Sequence, residues 1–287
     1  MFMNQLKTVF LLSSLSALFF LFGYLVGGSS GLLFAFIFSM IMNYLTYFFS
    51  DRMVLAMYQA QPLDRARYAN IYDMVQELCS NAQIPMPKLW YIPTSMANAF
   101  ATGRNPQHAS VAVTQGILDI LEEHELRGVL AHEISHVKNR DILIGTVAAT
   151  LATAIGYLAS MIRWSFIFGG GRDDRDRSSG FGALFAAIIM PFAAMLIQFA
   201  ISRSREYLAD ESGAKCSHDP LALASALEKL NQSTHVHEQE APTEAHAAAA
   251  SLFIVYPFSA KGVMNLFSTH PPMEKRVARL RKMAGIR

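Results

Sequence analysis

Two histidines and a glutamate, spaced as His132-Glu133-Ile134-Ser135-His136, are the residues in this sequence best suited to chemistry. They lie in a stretch with apolar residues at helical spacing, so the two histidines, four apart, face the same side of a helix. Two imidazoles at that separation can hold one zinc ion at about 2.0–2.1 Å. Glu133 projects near the same point, where it can take a proton from an attacking water. The pattern predicts a catalytic zinc site; a pair of satisfied surface histidines is the alternative.

A third metal ligand is expected, because a catalytic zinc has three protein ligands and an open fourth position. The best candidate is Glu206, in Arg205-Glu206-Tyr207-Leu208-Ala209-Asp210. Asp210 follows one helical turn later on the same face, so it can accept a hydrogen bond from the free ring nitrogen of a ligating histidine. Alone, this stretch would be read as two solvated carboxylates beside arginines. Next to the histidine motif, the ligand assignment is favoured.

Peptide hydrolysis follows from such a set of residues. Glu133 would take the proton of the attacking water and later deliver it to the leaving amine. The developing oxyanion needs the metal and one further donor. His270, in Ser268-Thr269-His270-Pro271-Pro272, is a candidate for that donor, and a histidine that only shapes the turn explains it equally well.

The composition predicts a membrane protein with a soluble portion. Hydrophobic residues make up 52% of the 287 residues and charged residues 16%, where soluble domains have about 25% charged residues. The net charge is +2 and no basic stripe is interleaved with aromatics, so we expect no nucleic-acid partner. Cys79 and Cys216 are interpreted as free thiols in a reducing compartment rather than as a disulfide framework.

Four stretches without charged residues are long enough to cross a bilayer, which takes about 20 residues. They are Thr8–Gly27, Gly31–Phe49, Ile142–Ile162 and Phe181–Ile201. The first two are close together and predict a tight transmembrane hairpin rather than a cleaved signal peptide. The last two predict a second hairpin, and the alternative is a hairpin buried in a soluble core.

Basic residues near the ends of these stretches predict the orientation. If all four stretches cross the bilayer, most of these basic residues lie on the same side as the N-terminus. They are Lys7, Arg52, Arg65, Arg67, Arg127, Lys138, Arg140, Arg203, Arg205 and Lys215. Three arginines in the connection 169–180 count against this pattern. The balance places both termini and the polar segments in the cytoplasm.

The chain therefore divides into four parts: an N-terminal transmembrane hairpin (1–49), the first half of a catalytic domain (50–141), a second hydrophobic hairpin (142–201) and the second half of that domain (202–287). Periodicity and turn signals predict a mainly α fold with a small β-sheet. The predicted helices are Asp64–Ala82, Gln115–Asp141, one from the fourth stretch through Ala214, Pro220–Asn231 and Glu274–Met283. The predicted strands are Lys88–Ile92, Ala97–Thr102 and Ser110–Thr114, and Gln232–Ala250 is expected to be a flexible loop.

The order of these motifs resembles the HtpX family of membrane-bound zinc metalloproteases, relatives of the CAAX prenyl proteases. The resemblance covers nearly the whole chain and rests on the two hydrophobic pairs and four short motifs. These are Asn98-Ala99-Phe100-Ala101, His132-Glu133-Ile134-Ser135-His136, Arg205-Glu206-Tyr207-Leu208-Ala209-Asp210 and Thr269-His270-Pro271-Pro272.

The resemblance implies a gluzincin-like zinc protease domain with one Zn²⁺ per chain. It implies a bacterial inner-membrane enzyme with a cytoplasmic active site that acts on misfolded or damaged membrane proteins. It also implies that Asn98 and Ala99 belong to the sheet edge along which a polypeptide substrate lies. The partners are then polypeptides and the lipid bilayer, and the sequence carries no signal for an oligomeric state.

Two other functions fit the same motifs. One is an intramembrane metalloprotease, but the charged and polar residues that follow His136, namely Lys138, Asn139, Arg140 and Asp141, belong at a water interface. The other is a catalytically silent scaffold or chaperone that retains the metal for structure. Loss of cleavage in a Glu133→Gln enzyme that keeps its zinc would separate the scaffold from the peptidase.

Overall fold

The computed structural model describes residues 2–148, 150, 203–236, 254 and 271–286. The predicted fourth hydrophobic stretch, most of the third, His270 and most of the predicted loop therefore lie outside the described residues. The described part is mostly helical with one small sheet, which confirms the predicted fold class at that level.

The N-terminal part is a helix, α1 (Phe2–Met57), that is folded back on itself at Gly28, where φ is 58° and ψ is −137°. Glycine adopts such a conformation without the steric penalty of a Cβ. The two arms lie against each other, and Asn43 Nδ2 donates a hydrogen bond of 2.8 Å to Ser16 Oγ. The first two hydrophobic stretches thus form a helical hairpin, and its crossing of a membrane stays a prediction.

Within the described residues, one helix is long and apolar enough to cross a membrane, Gly28–Met57. A shorter apolar helix, Leu6–Leu21, forms the other arm. Many large apolar side chains of the long arm are exposed, among them Phe34 at 75%, as expected for a surface in contact with lipid. Of the predicted transmembrane helices that fall within the described residues, one is therefore long and apolar enough to span a bilayer, and the others stay predictions.

A four-stranded sheet follows, formed by β1 (Gln61–Pro62), β2 (Lys88–Ile92), β3 (Ala99–Gly103) and β4 (Ala109–Thr114). The strand order is β1-β2-β4-β3, with β2 and β4 parallel and the other pairs antiparallel. This order places β3 at one edge of the sheet. Gly103 at its end has φ 129°, and a Cβ there would lie 2.2 Å from His108 O, so this turn requires glycine.

Helices cover the sheet and carry the site. They are α2 (Ala69–Ala82), α3 (Gln115–Ile120), α4 (Glu123–Asn139), α5 (Arg203–Ser217), α6 (Pro220–Val236) and α7 (Met273–Met283). The main core lies between the sheet, α2, α4 and α6, and includes Val75, Val111, Val129 and Leu227. The opposite face of the sheet packs against the end of α1 through Phe100, Ala112 and Val54.

The predicted helix Gln115–Asp141 is wrong in one respect, because the chain breaks into α3 and α4. Leu121 and Glu122 are extended, and the Glu122 amide donates a 2.9 Å hydrogen bond to Glu125 Oε2 in a capping box that starts α4. The helix predicted from Asp64 begins at Ala69 instead, after a turn.

Residues 142–148 are helical and continue from α4 after a left-handed Arg140. Their side chains Ile144 and Val147 pack against Leu11 and Leu15 of α1. The beginning of the third hydrophobic stretch therefore lies beside the N-terminal hairpin, one residue after Asp141.

Candidate metal centre

The predicted ligands come from two helices that pack against each other. α4 carries His132, Glu133 and His136, and α5 carries Glu206 and Asp210. All but His136 are at most 6% exposed, and His136 is partly buried. These polar side chains are enclosed by the domain, so each needs a partner there.

The two histidines and Glu206 converge on one point. His132 Nε2 and His136 Nε2 are 3.1 Å apart. Glu206 Oε2 lies 3.8 Å from the first and Glu206 Oε1 lies 3.7 Å from the second. Each residue offers one ligand atom, and all three atoms lie within 4.8 Å of one another, so the group could hold a metal ion.

A carboxylate lies close to the Nδ1 atom of each histidine ring. His132 Nδ1 lies 3.0 Å from Asp210 Oδ1. His136 Nδ1 lies 3.2 Å from both oxygens of Asp141. Carboxylates at Nδ1 favour the tautomer with the proton on that nitrogen, which leaves the Nε2 lone pairs free.

The donor set fits a zinc ion. Ligand atoms bound tetrahedrally at 2.0–2.1 Å are about 3.3–3.4 Å apart. Here the two Nε2 atoms are 3.1 Å apart, and each lies 3.7–3.8 Å from its nearer Glu206 oxygen. Two Nε2 lone pairs that face each other at 3.1 Å repel unless a cation or a proton lies between them. Two imidazoles and one carboxylate are the ligands of a catalytic zinc, with the fourth position open.

The electrostatics also favour a cation. Burial alone would lower the pKa of His136, but the carboxylates of Asp141 and Glu206 outweigh it and raise that pKa to about 10. For His132, burial prevails over Asp210 and lowers the pKa. The site thus has an excess of negative potential that a divalent ion would neutralise.

Glu133 lies beside the ligands and is 4% exposed. Its Oε2 accepts a 2.8 Å hydrogen bond from the backbone amide of Ala101 in β3. Burial raises the pKa of Glu133 to about 7, and the nearby Glu206 carboxylate acts in the same direction. This position connects the metal centre to the edge strand.

The two residues predicted to contact substrate lie at the start of β3. Asn98 is 1% exposed and its Oδ1 accepts a hydrogen bond from the Ile254 amide, while its buried Nδ2 has no partner among the described residues. Ala99 is fully buried. His270 lies outside the described residues, so its catalytic role stays a prediction.

Sequence reasoning assigned no role to Asp141 or Arg276. Asp141 could have been noticed because it follows the histidine helix directly, where the chain turns back toward His136. Arg276 is 0% exposed and both Asp210 oxygens accept hydrogen bonds from it. The signal was that Arg276 shares the apolar face of α7 with Val277 and Leu280, a place where a solvated arginine is not expected.

Comparison with known proteins identifies the class. The family model described as Peptidase family M48 matches residues 65–284. Since this is more than half of the chain, the chain belongs to peptidase family M48 and is a metalloprotease.

Relatives described as "Protease HtpX homolog" match along nearly the whole length. The protein of Syntrophobacter fumaroxidans is 53% identical over 283 residues, 98% of this chain and 99% of that relative. Those of Persephonella marina and Thermococcus kodakarensis are each 51% identical, over 98% and 97% of this chain and 98% and 96% of theirs. Within the family, the chain belongs with the HtpX proteases, which confirms the resemblance predicted from its motifs.

A more distant likeness is found among solved structures. The crystal structure of S. mikatae Ste24p aligns with a TM-score of 0.49 and 16% identity, over 97% of this chain and 66% of that one. This likeness is too weak to support a conclusion about function.

Proposed function

We propose that this metalloprotease is a zinc-dependent, membrane-bound endopeptidase whose metal ligands are His132, His136 and Glu206. The observation that carries the proposal is the convergence of these ligand atoms within 4.8 Å, beside a buried glutamate. Zinc bound there would polarise the scissile carbonyl and make water a better nucleophile.

The chain's own residues supply the proton transfers and the orientation. Glu133, with a pKa near 7 before metal binds, would accept the proton of the attacking water and pass it to the leaving amine. The Ala101 amide holds one oxygen of Glu133 and so orients the base. Asp210 and Asp141 hold the rings of His132 and His136.

Substrate would bind along β3 as an added strand. The Thr114 amide donates to Asn98 O, so Asn98 and Phe100 turn their backbone groups toward β4. The alternate residues Ala99 and Ala101 turn theirs outward, and of these groups the Ala101 amide already binds Glu133. Because Ala99 is fully buried, this edge must open before a substrate enters. Asn98 Nδ2, which has no partner among the described residues, is a donor for a substrate carbonyl.

The membrane provides the location and the substrate class. The proposed location is the bacterial inner membrane, with several spans and the active site in the cytoplasm. Lys138 and Arg140 are exposed at the end of α4, which supports an aqueous active site next to the bilayer. Backbone recognition has little sequence preference, which suits the hydrolysis of misfolded or damaged membrane proteins in quality control.

Replacement of Glu133 by Gln tests the mechanism in the purified full-length protein. We expect the variant to keep its zinc and to digest casein and a membrane substrate at least about 10²-fold more slowly than wild type, because its general base is gone. Cleavage at the wild-type rate would contradict the role of Glu133. Zinc retention without cleavage in the wild type would favour a silent scaffold.

A further inference from the structure

One guanidinium on the last helix binds two separate segments of the second half of the catalytic domain. Arg276 of α7 is fully buried. Its Nε donates to Asp210 Oδ2 at 2.8 Å and its Nη2 donates to Asp210 Oδ1 at 2.6 Å. Its third donor, Nη1, reaches the carbonyl of Ile254 at 2.8 Å. All three guanidinium nitrogens are thus bound, although α7 itself supplies no predicted metal ligand.

The path continues from Ile254 to the edge of the sheet. The Ile254 amide donates to Asn98 Oδ1 at 3.1 Å, and Ile254 is 3% exposed. The Asn98 backbone is held in turn by Thr114, whose amide and hydroxyl each donate to Asn98 O at 3.0 Å. One line of contacts therefore runs from His132 through Asp210, Arg276 and Ile254 to Asn98.

The arrangement suits arginine and no other residue. A planar guanidinium binds both oxygens of a carboxylate at once and so fixes the plane of that carboxylate, which a lysine cannot do. With its plane fixed, Asp210 presents Oδ1 to His132 Nδ1 at 3.0 Å. A buried Asp210 without Arg276 would be an uncompensated charge, free to rotate away from the ring.

We propose that Arg276 is a positioning residue of the endopeptidase, which acts on the metal through Asp210 and on the substrate through Ile254 and Asn98. The proposal rests on the proposed zinc site and on the role of Asn98 at the substrate edge. It makes metal affinity and substrate binding depend on one side chain that touches neither the metal nor the substrate.

The effect of Arg276 on metal binding is tested by a double-mutant cycle in the full-length protein. The cycle compares wild type, Arg276→Gln, Asp210→Asn and the double variant. Zinc affinity is measured by competition with a chelator. We expect each single variant to bind zinc about 10–100-fold more weakly. The double variant should match the weaker single variant within about twofold, because Arg276 acts through Asp210. Independent, multiplying losses, or an unchanged affinity in Arg276→Gln, would overturn the proposal.

The effect of Arg276 on substrate binding is tested on the zinc-saturated enzyme. Arg276→Gln should raise KM, and in an Asn98→Ala background the same change should leave KM unaltered, because the contact through which it acts is gone. An equal rise of KM in both backgrounds would overturn the claim that Arg276 acts on the substrate through Asn98. Arg281→Gln is the matched control, since Arg281 lies on the same helix but is half-exposed in a pair with Glu228; it should change neither quantity.

Arg276→Lys covers the case in which the Gln variant does not fold. This variant keeps the charge and loses the bidentate contact with Asp210, so its zinc affinity should lie between those of wild type and Asp210→Asn. Wild-type affinity in a folded Lys variant would overturn the proposal. If wild type binds zinc and cleaves while the Arg276 variants match it, this inference alone fails and the proposed function stands.

Discussion

Gly213 of α5 lies directly against the backbone of His132 in α4. A Cβ on Gly213 would be 2.8 Å from His132 N and 2.9 Å from His132 Cα, closer than such atoms approach in proteins. Gly213 follows Glu206 by seven residues, about two helical turns, so both face α4. The backbone contact at Gly213 therefore sets how far the Glu206 carboxylate lies from the two imidazoles.

Gly213→Ala should weaken zinc binding. The added methyl group must push α5 away from α4 by several tenths of an ångström, and the ligand set loses its geometry with it. We expect a loss of zinc affinity together with a lower melting temperature, measured by chelator competition and by thermal unfolding.

Gly128→Ala is the matched control for that prediction. A Cβ on Gly128 would be 2.8 Å from Leu223 N, an equally tight contact between α4 and α6 on another face. This variant should lose stability to a similar degree and keep its zinc affinity. Equal losses of zinc affinity in both variants would show that general destabilisation, not the position of α5, is responsible.

Asp141→Asn should reduce zinc affinity about 10–100-fold while the three ligands remain. Asp141 lies 3.2 Å from His136 Nδ1 and contributes to the raised pKa of that ring, so its charge increases the basicity of the ligand. The measurement is again competition with a chelator. Asp73→Asn, at an exposed position on α2, should leave the affinity unchanged, and a wild-type value for Asp141→Asn would remove this residue from the metal centre.

Glu125 links α4 to α6 and makes stability depend on pH. Its side chain is 2% exposed and accepts hydrogen bonds from Lys229 at 2.7 Å and Ser225 at 2.6 Å. Burial alone would raise the pKa of Glu125, but these bonds and the Glu122 amide outweigh it and lower the pKa. The ionised Glu125 carboxylate therefore stabilises the fold, and its full contribution is present at a pH above the unfolded-state pKa of about 4.3. This contribution is lost as the pH falls through the lowered folded-state pKa.

Glu125→Gln should therefore lower the free energy of unfolding by about 1.5–3 kcal/mol near neutral pH. The difference from wild type should narrow as the pH falls from about 4.3 through the lowered folded-state pKa, below which Glu125 is protonated in the folded wild type. Thermal unfolding of both proteins across a pH series measures this difference in stability. Glu123→Gln, an exposed neighbour in the same helical turn, should follow the wild-type curve; a constant difference at every pH would contradict the assigned cause.

Features that depend on neighbours within one element could be predicted from the sequence. Both histidines lie on one helix, so their spacing alone predicted that they share a face, and the observed β2, Lys88–Ile92, has the predicted bounds. The membership of Glu206 in the site could be proposed because a catalytic zinc lacks a ligand without it.

Contacts between distant segments could not be predicted in the same way. The approach of Arg276 to Asp210 depends on how α7 packs, so the apolar face of α7 could mark Arg276 as buried but could not name its partner. The break before α4 was missed because apolar residues at helical spacing run across it, and only the capping box of Glu122 and Glu125 marks it.

Metal analysis of the purified wild type and of Glu206→Ala tests the central claim most directly. Glu206 should supply the third ligand, so wild type should hold one zinc per chain and the variant should lose most of it. Glu211→Ala removes an exposed carboxylate from the same helix and should keep the wild-type zinc content. A wild type without zinc, or a Glu206→Ala variant that retains it in full, would contradict the account.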